Sequence, residues 1–214
     1  MGTTRLTSRR RQDQGFKWAR IAMAVLATVG VIDTGSITLK RWGVIGDLTC
    51  PLGADGCDKV LNSAWGTLLQ TETFSIPLSF VGLVAYLAVV VMALVPLLPG
   101  LAENRGDLSR RTWWGLLTVS LGMAVFSLVL VGLMVFKIQA FCFFCALSAA
   151  LSVLLMVLAV IGGGWDDFGQ VVFRGILLAL AVLIGSLIWS SVVDPDRPDA
   201  ALTGPGAPPL VTTE

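Results

Sequence analysis

The 214-residue chain contains no histidine, and only 14% of its residues are charged. Without histidine there is no Ser-His-Asp or Cys-His catalysis and no imidazole-ligated metal. Soluble domains carry roughly 25% charged residues, so so little charge excludes an ordinary soluble domain. Hydrophobic residues make up 55% of the chain, which marks an all-α integral membrane protein. The net charge of +1 singles out no partner, and nothing in the chain points to nucleic acid. Cysteine is also scarce, with four residues. They carry whatever soluble chemistry the chain has.

Five apolar runs are present: about Trp18–Leu39, Ile76–Leu98, Trp113–Phe136, Phe141–Ile161 and Val172–Val193. Each approaches the ~20 residues that a bilayer core requires, so five transmembrane helices are predicted. Residues 1–17 are polar and basic, and are expected to form a disordered cytoplasmic tail ahead of an uncleaved first span. The first span holds two charges. Arg20 is expected to snorkel to the inner surface. Asp33 reads either as a carboxylate paired with a neighbouring helix or hydrated, or as a proton donor or acceptor beside a site. The tail 194–214 is rich in Pro, Gly, Asp and Ala and reads as a flexible end or linker.

Basic residues set the orientation. With the N-terminus inside, the inner segments hold ten of the fifteen Lys and Arg residues and the outer segments five. N-in, C-out is therefore expected, and it puts all four cysteines at or near the outer surface. The outer side of a bacterial cytoplasmic (inner) membrane permits disulfides.

The outer loop, residues 40–75, is the longest connection. It contains Cys50-Pro-Leu-Gly-Ala-Asp-Gly-Cys57, whose turn residues allow the two thiols to meet. From Asp58 on, Val60, Leu61, Ala64, Trp65, Leu68 and Leu69 recur at helical spacing. This predicts a short amphipathic lid helix on the membrane surface, with Cys57 just before its start. The second pair is Cys142-Phe143-Phe144-Cys145, one helical turn apart at the head of the fourth span. There the helix N-terminus favours the thiolate. The residues alone leave three readings open: a four-thiolate zinc site, two inert structural disulfides, or a thiol–disulfide relay with one pair facing a soluble substrate and the other the lipid phase. The relay explains the most.

The run Cys57-Asp-Lys-Val-Leu-Asn-Ser63-Ala-Trp65-Gly66, the later Cys142-Phe-Phe-Cys145 and the spacing between them resemble the vitamin K epoxide reductase family in its bacterial branch. The resemblance covers roughly residues 18–192. It implies a four-helix bundle around a quinone, menaquinone or ubiquinone, with a fifth span at the C-terminal side. The implied activity is oxidation of a periplasmic thioredoxin-like or DsbA-like protein with electrons passed to the quinone. By motif, Cys142 and Cys145 are implied as the active-site pair, with Cys145 next to the quinone, and Cys50 and Cys57 as the shuttle pair. Ser63 and Trp65 match the positions that shape the pocket, with Ser63 a hydrogen-bond donor near the thiols. With no histidine present, the quinone oxygens must take protons from water, Ser63 or an acid such as Asp33. Vertebrate members have a tyrosine four residues after the second active-site cysteine. Ala149 stands there in this chain, which speaks against use of vitamin K epoxide. No second Cys-x-x-Cys follows, so the thioredoxin-like partner is expected as a separate protein or as a continuation beyond Glu214. The alternatives are a DsbB-type quinone reductase, which carries its Cys-x-x-Cys in the first outer loop, and a membrane scaffold with structural thiols.

Overall fold

Within lipid, long apolar runs leave the backbone only the helix in which to satisfy its own N–H and C=O groups. The computed structural model describes residues 3–45, 57, 60, 66–71, 74–97, 105–163 and 168–192. In chain order it contains α1 (Thr3–Arg41), β1 (Thr67–Thr71), β2 (Phe74–Pro77), α2 (Leu78–Leu94), α3 (Arg105–Leu133), α4 (Phe143–Gly162) and α5 (Phe168–Val192). A 3-10 turn, Val95–Leu97, extends α2, and a wider π-helical turn, Met134–Ile138, extends α3. Five helical stretches are long and apolar enough to cross a membrane: Lys17–Arg41, Leu78–Leu97, Leu108–Ile138, Phe143–Gly162 and Gly169–Val192. They match the five predicted runs.

The first four helices pack in a closed ring, α1 on α2, α2 on α3, α3 on α4 and α4 back on α1. Their shared core contains Met23 and Ala27 from α1, Tyr86 and Val89 from α2, Leu116 from α3 and Leu155 from α4. Trp113 Nε1 donates to Ala159 O at 3.1 Å, joining α3 to α4 through the buried indole. The fifth helix lies outside the ring against α3. Arg174 stacks over Trp114 with its guanidinium 5.0 Å from the ring centre, and Trp189 packs on Phe126. The rest of α5 presents Phe173, Ile176, Leu180, Ile184, Leu187 and Ile188 outward, an apolar surface suited to lipid.

Four expectations are corrected. Residues 3–17, expected to be disordered, continue α1 as helix, because Arg9, Arg10, Arg11 and Gln12 are good helix formers. Leu68 and Leu69, assigned to the lid helix, belong to β1. That strand pairs antiparallel with β2 through Leu69↔Ile76, Gln70↔Ser75 and Thr71↔Phe74. Thr67, Thr71, Phe74 and Ile76 favour a pleated strand, and Ile76 and Pro77 therefore precede the second span instead of opening it. Cys57, expected before the helix, is itself helical, as is Val60; Leu61, Ala64 and Trp65 lie outside the described residues. Arg20 does not snorkel. It is 2% exposed and donates to Met92 O at 3.1 Å, Ser109 O at 2.9 Å, Ser109 Oγ at 3.2 Å and Thr112 Oγ1 at 3.1 Å, with Trp113 stacked 4.8 Å away. Inward rotation satisfies the guanidinium and ties α1 to α2 and α3.

Candidate redox site

The Cys-x-x-Cys sits where α3 gives way to α4. The π-helical turn Met134–Ile138 widens the end of α3, and Gln139 takes a left-handed conformation (φ 50°) that stops it. Wider turns of this kind are frequent at functional sites. The chain then extends to Cys142, which caps α4 with φ −111° and ψ 116°. Its N–H donates to Met134 Sδ at 3.4 Å, and its Sγ accepts from the N–H of Cys145 at 3.4 Å. Both cysteines are free thiols.

The span begins at Phe143, so Cys142 stands just outside it. The Cys145 thiol first, and then the backbone N–H groups of Cys145 and Phe144, stabilise the Cys142 thiolate. Together they outweigh burial and the Asp33 charge and bring its pKa down to about 7. Cys142 is therefore the more nucleophilic of the pair at neutral pH, although it is 0% exposed and no bulky soluble protein reaches it.

Cys57 is disulfide-bonded. Since Cys142 and Cys145 are free, its bond is to neither of them. It is buried in one cluster with Met134 and Cys142, with Val60, Phe144 and Cys145 packed against that cluster. The loop disulfide and the Cys-x-x-Cys are thus in van der Waals register without being bonded. Cys50, Ser63 and Trp65, the other expected site residues, lie outside the described residues.

Cys145 lines a partly open cavity of about 310 Å³ between the four helices, within the roughly 300–1,000 Å³ typical of small-molecule sites. The wall is mainly apolar, with Ile37 from α1, Met123 from α3 and Phe144 from α4 among its residues. Tyr86, Ser127 and Ser148 bring hydroxyls to it. Tyr86 Oη donates to Ser148 O at 2.8 Å and shares a hydrogen bond with Ser148 Oγ at 3.1 Å. The donor set suits a flat, largely apolar ring bearing polar oxygens: aromatic and aliphatic walls for its faces, a few hydroxyls for its edge. Met134, Tyr86 and Ser148 were not singled out from the sequence. A lone tyrosine within an aliphatic span was the signal for Tyr86.

Asp33 is 6% exposed, and both carboxylate oxygens lack a hydrogen-bond partner among the described residues. Of the two partners expected for the carboxylate, a neighbouring helix supplies none among the described residues. The nearby polar groups, Thr34 and Tyr86, spend their donors on Gly30 O and Ser148.

A ring of apolar helices with a dithiol opening on a cavity has the parts that a membrane oxidoreductase needs. The model of the Vitamin K epoxide reductase family matches residues 21–160, and the chain belongs to that family. The match spans all four cysteines, Ser63 and Trp65, and ends before α5. Members are oxidoreductases whose membrane redox function lies in disulfide formation.

Proposed function

We propose that this protein is a quinone-dependent thiol oxidoreductase of the bacterial cytoplasmic membrane that oxidises a periplasmic thioredoxin-like or DsbA-like protein. The shuttle pair is Cys50–Cys57 and the active-site pair is Cys142–Cys145. The observation that carries this reading is the packing of disulfide-bonded Cys57 against buried Cys142, while Cys145 faces the cavity.

The relay runs by thiolate attack on disulfide. A thiolate of the partner attacks Cys50, and Cys57 leaves as thiolate; the partner's second thiol then releases it as a disulfide. Cys57 attacks Cys142 of the oxidised active-site pair, and Cys145 leaves. Cys50 attacks Cys57, re-forming the shuttle disulfide and freeing Cys142. The dithiol now carries the partner's two electrons. A quinone supplies the two-electron, two-proton acceptor for them. In this chain Phe144 and the aliphatic wall would hold its ring, and the hydroxyls of Ser127 and Ser148 its edge. Burial of Cys142 keeps the partner protein at the shuttle pair and excludes direct attack on the inner disulfide.

The test is anaerobic mixing of the purified protein with a reduced thioredoxin-like protein and either menaquinone or ubiquinone, following quinol absorbance. Stoichiometric quinol that requires all four cysteines supports the reading. No quinol formation, with the four cysteines in fixed redox states, would leave a structural scaffold instead.

A further inference from the structure

Oxidising two thiols to a disulfide releases two protons as well as two electrons, and the chain has no histidine to handle them. Ionisable groups inside a span are costly and normally either paired or functional. Asp33 is more than nine-tenths buried, with no hydrogen-bond partner among the described residues. Gly30, one turn before it, receives the Tyr86 ring so closely that a Cβ there would collide with it. Thr34 and Ile37, the next positions on that side, line the cavity. Asp33 is also within electrostatic reach of Tyr86, Cys142 and Cys145. The helices packed on α1 are α2 and α4. Tyr86 is the only titratable group within α2, and Cys145 the only one within α4, with Cys142 at its cap. On α1 itself Lys40 and Arg41 are seven and eight residues away, roughly 11–12 Å along the axis, and Arg41 lines the far part of the same cavity wall; Arg20 is about 20 Å away in the other direction, engaged with α2 and α3.

We propose that Asp33 is the internal proton-holding group of the Cys142–Cys145 couple, taking the proton that Cys145 gives up and returning it toward the cavity. This rests on the thiol-to-quinone reading above and names the proton path that the reading leaves open. As the Cys142–Cys145 bond forms, two electrons leave for the quinone. The S–H bond of Cys145 breaks and its proton goes to the Asp33 carboxylate; the proton of Cys142, at the outer end of α4, goes to water. The Asp33 carboxyl then gives its proton to one acceptor oxygen, water supplies the other, and Asp33 is a carboxylate again. Two protons leave the thiols and two arrive at the acceptor. Asp33 is a positioning residue for the proton and does not bond the sulfur.

The experiment is reduced-minus-oxidised infrared difference spectroscopy of the purified protein, with a small dithiol as reductant and no quinone present. The wild type should show a carboxyl C=O band that changes with the redox state of the cysteines. That band should vanish in Asp33→Asn and move in frequency in Asp33→Glu. Asp33→Asn should also slow single-turnover quinol formation on the order of 10²-fold, as loss of a positioned acid–base group does. Asp33→Glu should restore most of that rate and displace its pH profile. A redox-dependent spectrum identical in wild type and Asp33→Asn overturns the proposal, as does an unchanged pH profile of quinol formation. If Asp33→Asn does not fold, Asp33→Glu decides the matter, since an unmoved band overturns it equally. An Asp33 band in a wild type that makes no quinol would refute the quinone reading and leave the proton coupling standing.

Discussion

The hydroxyl of Tyr86, the chain's single tyrosine, donates to the backbone carbonyl of Ser148 at 2.8 Å. It thereby ties α2 to the helix that carries Cys145, three residues before that carbonyl. The same ring occupies the space that Gly30 leaves open on α1, so one side chain sets the spacing of three helices around the cavity. Tyr86→Phe keeps the ring and loses the bond. It should cost about 0.5–1.5 kcal/mol, read as a lower unfolding temperature in detergent. Gly30→Ala should cost about 1–3 kcal/mol through overpacking and reduce cavity binding as well. Recovery of stability in the Gly30→Ala, Tyr86→Leu double variant would confirm that the two positions share one space, and additive losses would refute it.

The order of the relay is readable in a trapped intermediate. Run in reverse, the relay has the Cys142 thiolate attack the shuttle disulfide at Cys57 and Cys145 then displace Cys57 from Cys142; Cys145→Ala removes that second step. Non-reducing peptide mapping of this variant should find a Cys57–Cys142 bond. Finding Cys50 linked to Cys142, or no bond between loop and span, would contradict the order inferred from the buried cluster.

Cys142 should titrate near pH 7 because the Cys145 thiol and two backbone N–H groups favour its thiolate. The sign is that its thiolate fraction grows as pH rises through about 7. Thiolate absorbance of the reduced protein should therefore show a step there. Cys145→Ala removes the strongest donor and should move the step upward, toward the ordinary thiol value of about 8.5. A step already at that value in the wild type would show that the cap does not stabilise the thiolate.

Arg20→Lys retains the charge but loses the planar fork that reaches α2 and α3 together. With hydrogen bonds to charged groups worth about 1.5–3 kcal/mol, the variant should lose at least about 2 kcal/mol of stability. The Cys57–Cys142 trapping should be unaffected, since Arg20 lies at the opposite end of the first span, Lys17–Arg41. Wild-type thermal stability in Arg20→Lys would mean that the observed bonds contribute little.

An alkaline phosphatase fused after Thr213 should be active, because that reporter folds only outside the cytoplasmic membrane. A fluorescent cytoplasmic reporter at the same position should be dark. The reverse pair of results would invert the orientation expected from the ten-to-five basic asymmetry.

The five spans and the place of the Cys-x-x-Cys were determined by the sequence itself, because hydropathy sums over consecutive residues and a helix cap is a local event. Cys142 at the head of an apolar run needed no distant contact to be found. The lid helix was misjudged at Leu68 and Leu69 because six apolar residues at helical spacing do not reveal a partner strand, and the Phe74–Pro77 pairing decides the conformation there. Arg20 and Asp33 were visible as charges in an apolar run, but their fates diverge. One is surrounded by carbonyls and hydroxyls from α2 and α3, and the other meets no hydrogen-bond partner among the described residues. Which polar groups face a buried charge depends on how helices far apart in sequence rotate against each other. For the same reason only the tertiary structure could bring Tyr86 to Ser148, Met134 to the N–H of Cys142, and Cys57 to the thiol that it is proposed to attack.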